Sequence, residues 1–157
     1  MISVIVPTRD SATVLGPCLS ALVPAAVSGL VREVILADAG SMDGTLAIAE
    51  DAGARVMAGD VAAAVAAAKG EWLLILPPTS RLESGWEAEA AHHVNRFTGR
   101  TACFRLAVDA GGAAARLREW LGALGAPTPA HGLLVERARF KAVGVPRRLG
   151  ARVLVAG

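Results

Sequence analysis

Asp38, Ser41 and Asp43 are the side chains best spaced for chemistry, set within Asp38-Ala-Gly-Ser-Met-Asp-Gly-Thr45. The apolar run Val34–Ala37 before them suits a central parallel strand, and Asp38 stands where that strand ends. A carboxylate and a hydroxyl at the carboxyl end of such a strand sit where open α/β sheets place ligands. Gly40 and Gly44 relax the backbone on either side of Ser41 and Asp43. The same residues suit a structural task equally well. Asp43 or Ser41 can cap a helix running through Leu46, Ile48 and Ala49 to Gly53, and Asp38 can serve only the turn.

Other candidate groups are sparse. His92 and His93 are adjacent, so on a helix they diverge by about 100° and cannot share a metal as an i, i+4 pair does. Cys18 and Cys103 lack CxxC partners and read as small core residues, which argues against zinc and against a disulfide framework. No Gly-x-Gly-x-x-Gly or Walker loop occurs. Arg137, Arg139, Lys141, Arg147, Arg148 and Arg152 form a basic stretch that can clamp phosphate or simply face solvent.

The elements that must position these groups follow from hydrophobic patterning. Strands are expected at Ile2–Val6, Val34–Ala37, Ala54–Met57 and Trp72–Leu76, the last stopped by Pro77 and Pro78. Helices are expected after Ser11, around Thr45–Ala52, from Asp60 to Lys69, and from a Ser84/Glu87 capping box to about Phe97. Pro17 predicts a kink or a late start in the first helix. Thr101–Val108 reads as an edge strand, Ala113–Leu124 as an amphipathic helix, and Gly132–Val135 as a strand. Arg137–Val143 reads as a short helix and Arg152–Ala156 as a last strand. Strands alternating with helices imply an α/β fold, a mostly parallel sheet covered on both faces.

The 157 residues suit one domain. A net charge of +2 demands no nucleic-acid partner. The longest apolar runs, Val61–Ala68 and Trp72–Pro78, fall far short of the roughly 18 residues a membrane span needs. Met1 leads directly into a strand with no basic leader, so the expected location is cytoplasmic.

The opening strand with Pro7-Thr8, the Asp38–Thr45 turn, Gly53–Val56, Gly70–Leu76 and Gly132–Val135 together resemble family 2 glycosyltransferases of the GT-A fold, closest to small bacterial members. The resemblance reaches about Gly144 and implies a nucleotide-diphosphosugar site at the carboxyl ends of the first, second and fourth strands. It implies Pro7, Thr8, Asp10, Asp38 and Ser41 as the nucleoside-binding residues, with a nucleoside diphosphate or nucleotide-sugar as ligand.

Departures from the family lie at the diphosphate and acceptor ends. The family's Asp-x-Asp metal motif, which would take manganese or magnesium, aligns with Pro77 and Thr79, which offer no carboxylate. Ala39 replaces a second acid, the polar residues expected before Gly70 fall in the alanine run after Asp60, and Ala130 replaces the acceptor-side acid, leaving His131 one position along. The family's acidic helix near the C-terminus has no counterpart, so the domain reads as truncated there. The expectation is a degenerate active site with no metal cofactor and metal-dependent sugar transfer lost. The alternative is a catalytically silent GT-A-like domain acting as a scaffold, with a protein partner or a homodimer.

Overall fold

The computed structural model describes residues 1–108, 132–142 and 147–155. Strands and helices alternate through β1 (Ile2–Thr8), α1 (Ala12–Ser20), α2 (Val23–Val27), β2 (Val31–Asp38), α3 (Thr45–Asp51), β3 (Arg55–Ala58), α4 (Val61–Ala67) and β4 (Trp72–Ile75). Then come β5 (Ser80–Leu82), α5 (Trp86–Arg96), β6 (Ala102–Val108), β7 (Leu133–Glu136), a 3-10 helix (Arg137–Ala142) and β8 (Arg147–Val155). The strands form one sheet in the order β3-β2-β1-β4-β7-β6-β8-β5. The first four run parallel; β7 turns antiparallel to β4 and to β6, while β6 and β8 are parallel.

The strand sequences explain this layering. In β1, Ile2, Val4 and Val6 face one core with Leu15 and Leu19 of α1, Ala49 of α3 and Trp86 of α5. Ile5 faces the other, with Val61 and Ala64 of α4. In β4, Trp72 and Leu74 join the first core and Leu73 and Ile75 the second. Both faces of these strands are covered, so they are apolar throughout rather than alternating. Each fully buried Ile, Leu or Val side chain is worth about 1.5–3 kcal/mol, which fixes the register.

Pro7 interrupts β1 without cost to the sheet. The register with β4 ends at Ile5–Ile75, and the backbone bond from Leu76 to the Ile5 carbonyl is the last on that side. The missing proline amide therefore falls beyond the ladder.

Four expectations need correction. Thr101–Val108 is not at an edge: β6 lies between β7 and β8. The Ser84 capping box does not form. Gly85, at φ 91°, occupies the cap position of α5, and no side chain bonds the first turn. Ser11 stands at the cap of α1 but makes no capping hydrogen bond; its hydroxyl instead donates to the Arg9 carbonyl at 3.0 Å. α1 begins at Ala12, ahead of Pro17, so there is no late start. The cap expected at Asp60 does form, with its carboxylate accepting from the Ala63 amide at 2.9 Å. β5 was not anticipated, and β8 begins earlier than expected, at Arg147. The amphipathic stretch Ala113–Leu124 lies outside the described residues, as do Ala130 and His131.

Candidate functional site

β1 is flanked by β2 on one side and β4 on the other, so the chain's path reverses direction between β1 and β4. Such switch points open a crevice at the carboxyl ends of the strands. Thr8 ends β1 and is in register with Asp38, which ends β2. The loops that follow are the β1–α1 loop, with Arg9, Asp10 and Ser11, and the β2–α3 loop, with Gly40 to Gly44.

Asp38 organises both loops. Its side chain is buried, with the residue 5% exposed. Oδ1 accepts from the Thr8 hydroxyl at 2.9 Å and from the Ser41 hydroxyl at 2.5 Å. Oδ2 accepts from the amides of Gly40 at 3.0 Å and Ser41 at 2.9 Å. Burial alone would raise the Asp38 pKa, but these bonds, led by those from Ser41, more than offset it and hold the carboxyl below its ordinary range. Gly40 has φ 87°, a conformation that glycine supplies without a steric penalty.

The two loops are stapled to each other. The Asp10 amide donates to the Ser41 hydroxyl oxygen at 2.9 Å, and Asp10 Oδ1 accepts from the Met42 amide at 2.7 Å. Asp10 holds φ 46°, unusual for a residue with a side chain but tolerated by aspartate. Asp43 Oδ2 accepts from the Ala12 amide at 3.0 Å, capping α1 across the gap. Its Oδ1 accepts from the Thr45 amide at 2.9 Å and from the Thr45 hydroxyl, at the first residue of α3. The Ser11 amide donates to the Thr45 hydroxyl oxygen at 2.8 Å. The bonds from the Thr45 hydroxyl and the Ala12 amide hold the Asp43 carboxyl below its ordinary range.

Thr8, Asp10, Asp38 and Ser41 are thus brought together by direct hydrogen bonds, with Pro7 half-buried beside them. Neither Ser41 nor Asp43 takes the cap position of α3, which is Gly44; Asp43, one residue before it, still accepts from the Thr45 amide, while Ser41 points back to Asp38. The caps that Asp43 and Thr45 provide across the loops were missed. Both read as local residues of one helix start, and no spacing rule links them to residues some thirty positions earlier.

The carboxyl end of β4 is chemically different. Pro77 is buried, and its carbonyl accepts from the Ser80 amide at 3.0 Å, closing a turn over Pro78 and Thr79. The Cys18 thiol approaches the same carbonyl at 3.7 Å. Burial pushes that thiol up to about 12, so it is an inert core group. The Thr79 and Ser80 hydroxyls are buried, without hydrogen-bond partners among the described residues. Neutral hydroxyls and a proline do not make the carboxylate set that a hard divalent cation takes beside a diphosphate. Among the described residues no cluster of three or more His, Cys, Asp or Glu side chains could hold a metal ion.

The basic stretch does not supply a substitute where its side chains are described. β7 runs antiparallel to β4, with Glu136 opposite Trp72, so Arg137 and Arg139 fall at the amino end of β4, away from the crevice. Arg137 donates to the Ala68 carbonyl at 3.0 Å, and Arg139 pairs with Glu136 at 3.3 Å. His93 is not a surface ligand. It is buried on α5, its Nε2 2.7 Å from the Arg100 carbonyl and its ring edge-on to Trp72.

Comparison with known proteins gives these features a context. Residues 3–76 match the sequence model of glycosyl transferase family 2. A TPR repeat-containing protein of Synechococcus elongatus is 39% identical over 89 residues, which is 52% of this chain and 21% of that protein. The glucosyl-3-phosphoglycerate synthase of Mycobacterium tuberculosis, solved with Mn2+, UDP and phosphoglyceric acid, superposes with a TM-score of 0.64 at 21% identity, over 88% of this chain and 56% of that one. The mannosyl-3-phosphoglycerate synthase of Rubrobacter xylanophilus gives a TM-score of 0.65 at 18% identity, over 89% of this chain and 54% of that one. The chain therefore spans about a fifth of the curated relative and somewhat over half of the solved synthases. At these identities the synthases establish a shared fold. Among the described residues no helix is long and apolar enough to cross a membrane.

Proposed function

We propose that this chain, a family 2 glycosyltransferase homologue over residues 3–76 with the GT-A fold, binds a nucleoside diphosphate or nucleotide-sugar in the crevice above β1, β2 and β4. The observation that carries the proposal is the bonded set Thr8–Asp38–Ser41–Asp10 at the sheet's switch point, inside the segment that matches the family. Carboxylate and hydroxyl oxygens suit the ribose hydroxyls and base N–H groups of a nucleoside. Pro7 flanks that set. A structural neighbour that holds UDP with Mn2+ supports the ligand class.

The same reading treats metal-dependent sugar transfer as lost. The Pro77–Ser80 turn presents no carboxylate to a cation, and stabilisation of charge on the leaving diphosphate is usually the largest part of such catalysis. The missing carboxylates also favour the second reading, a silent GT-A-like domain that works as a scaffold, with a protein partner or as a homodimer in the cytoplasm. A thermal-shift screen of uridine, guanosine and thymidine diphosphates, with and without manganese, separates the two. Stabilisation by one diphosphate irrespective of manganese supports nucleotide binding without metal. No shift with any of them supports the scaffold.

A further inference from the structure

We infer that Ser3 and Glu33, with Gly70, are positioning residues that fix where β4 begins. Through that strand they set the place of the Pro77–Ser80 turn on the β4 side of the crevice, a role independent of nucleotide binding.

The apolar pattern leaves the start of β4 open. Trp72-Leu-Leu-Ile-Leu76 is apolar throughout, and all five residues are buried. Ile2–Ile5 pair with Trp72–Ile75. A slip of one residue would pair Ile2–Ile5 with Leu73–Leu76 and take only Trp72 out of the ladder. The alternation of apolar and polar residues that specifies register elsewhere is missing from this strand.

A polar clasp at the amino end of the sheet makes the choice. Ala67–Gly70 join α4 to β4, and the backbone of each is held by a side chain from a different element. Arg55 of β3 donates to the Ala67 carbonyl at 3.1 Å, and Arg137 of the 3-10 helix donates to the Ala68 carbonyl at 3.0 Å. Glu33 of β2 accepts from the Lys69 amide at 2.6 Å, and the Ser3 hydroxyl oxygen of β1 accepts from the Gly70 amide at 2.8 Å. The Ser3 hydroxyl then donates at 2.7 Å to Glu33 Oε1, the oxygen that takes the Lys69 amide. Ser3 is fully buried, so leaving its hydroxyl unpaired carries the whole desolvation penalty. Gly70 permits the close approach, since a Cβ there would lie 2.6 Å from the Ser3 amide nitrogen. A slip of one residue moves the chain about 3.3 Å along the strand. It would part both amides from their acceptors and carry Pro77 and Ser80 the same distance along the crevice wall.

The experiment uses the full chain, amide-resolved proton–nitrogen NMR and hydrogen exchange. The wild type should give one set of signals. Ser3→Ala with Glu33→Ala should speed exchange at Lys69 and Gly70 about tenfold or more, because both amides lose their acceptors. It should also give a second set of signals for Leu73–Leu76, Thr79 and Ser80, in which the cross-strand contact of Ile5 moves from Ile75 to Leu76. Glu33→Gln keeps an acceptor oxygen and should give one set. Asp60→Ala, which weakens α4 from its other end, should also give one set. A single set in the double variant, with Lys69 and Gly70 exchanging fast, overturns the positioning role. Doubling in Asp60→Ala or Glu33→Gln overturns it too, since loss of stability or of charge alone would then suffice. Slow exchange at Lys69 and Gly70 in the double variant overturns the clasp itself. Should the double variant fail to fold, Ser3→Ala alone is read at Gly70 and along β4, and the same outcomes decide.

Discussion

At the scale of single residues, Asp38, Asp43 and Glu33 share one electrostatic signature. In Glu33, burial pushes the pKa up. The Lys69 amide at 2.6 Å, the Ser3 hydroxyl at 2.7 Å and the nearby Arg55 outweigh it, so the carboxyl is held below its ordinary range. All three folded-state values lie below those of the unfolded chain, about 3.9 for Asp and 4.3 for Glu. Their stabilisation is therefore present above those values and is lost as pH falls through the depressed folded values. We expect the melting temperature to hold from neutrality down to about pH 5 and to fall steeply below about pH 4. Asp38→Asn should flatten that acid limb, and melting curves across pH check it. Gly70 makes a second prediction. A Cβ there would lie 2.6 Å from the Ser3 amide nitrogen and 2.8 Å from its hydroxyl. Gly70→Ala should cost about 1–3 kcal/mol, read from the urea midpoint.

At the scale of elements, legibility followed locality. β1, β2 and β4 were readable because both faces are buried and each forms a short apolar run. The Asp60 cap was readable because donor and acceptor lie three residues apart. Asp60→Ala should cost about 1 kcal/mol, seen as a matching shift in thermal unfolding. Ser84 misled because Ser-x-x-Glu is a sufficient pattern only when the serine takes the cap position, and Gly85 in the left-handed region takes it instead. β5 is three residues long and exists through pairing with β8, so its own sequence carries little signal. The candidate residues Thr8, Asp10, Asp38 and Ser41 were singled out through a family pattern, and the structure groups them, but their bonding was not legible. Cross-loop caps such as Asp43 to Ala12 join positions that only the parallel pairing of β1 and β2 brings together.

At the scale of the whole molecule, the two halves of the crevice differ in character. The side at β1 and β2 holds an ordered set of carboxylates and hydroxyls. The β4 side ends in a proline-rich turn without carboxylates, and Arg137 and Arg139 are committed to the amino end of the strand. On this account the fold still holds a nucleotide by its nucleoside, and a divalent ion adds nothing. Pro77→Asp combined with Thr79→Asp should introduce metal dependence into UDP binding where the wild type has none. The most direct test is calorimetric titration of the wild-type chain with UDP, in buffer containing either manganese or a chelator. The account predicts UDP binding of equal affinity in both, or slightly weaker with manganese because free ion competes for the diphosphate. An affinity about tenfold or more higher with manganese would contradict it.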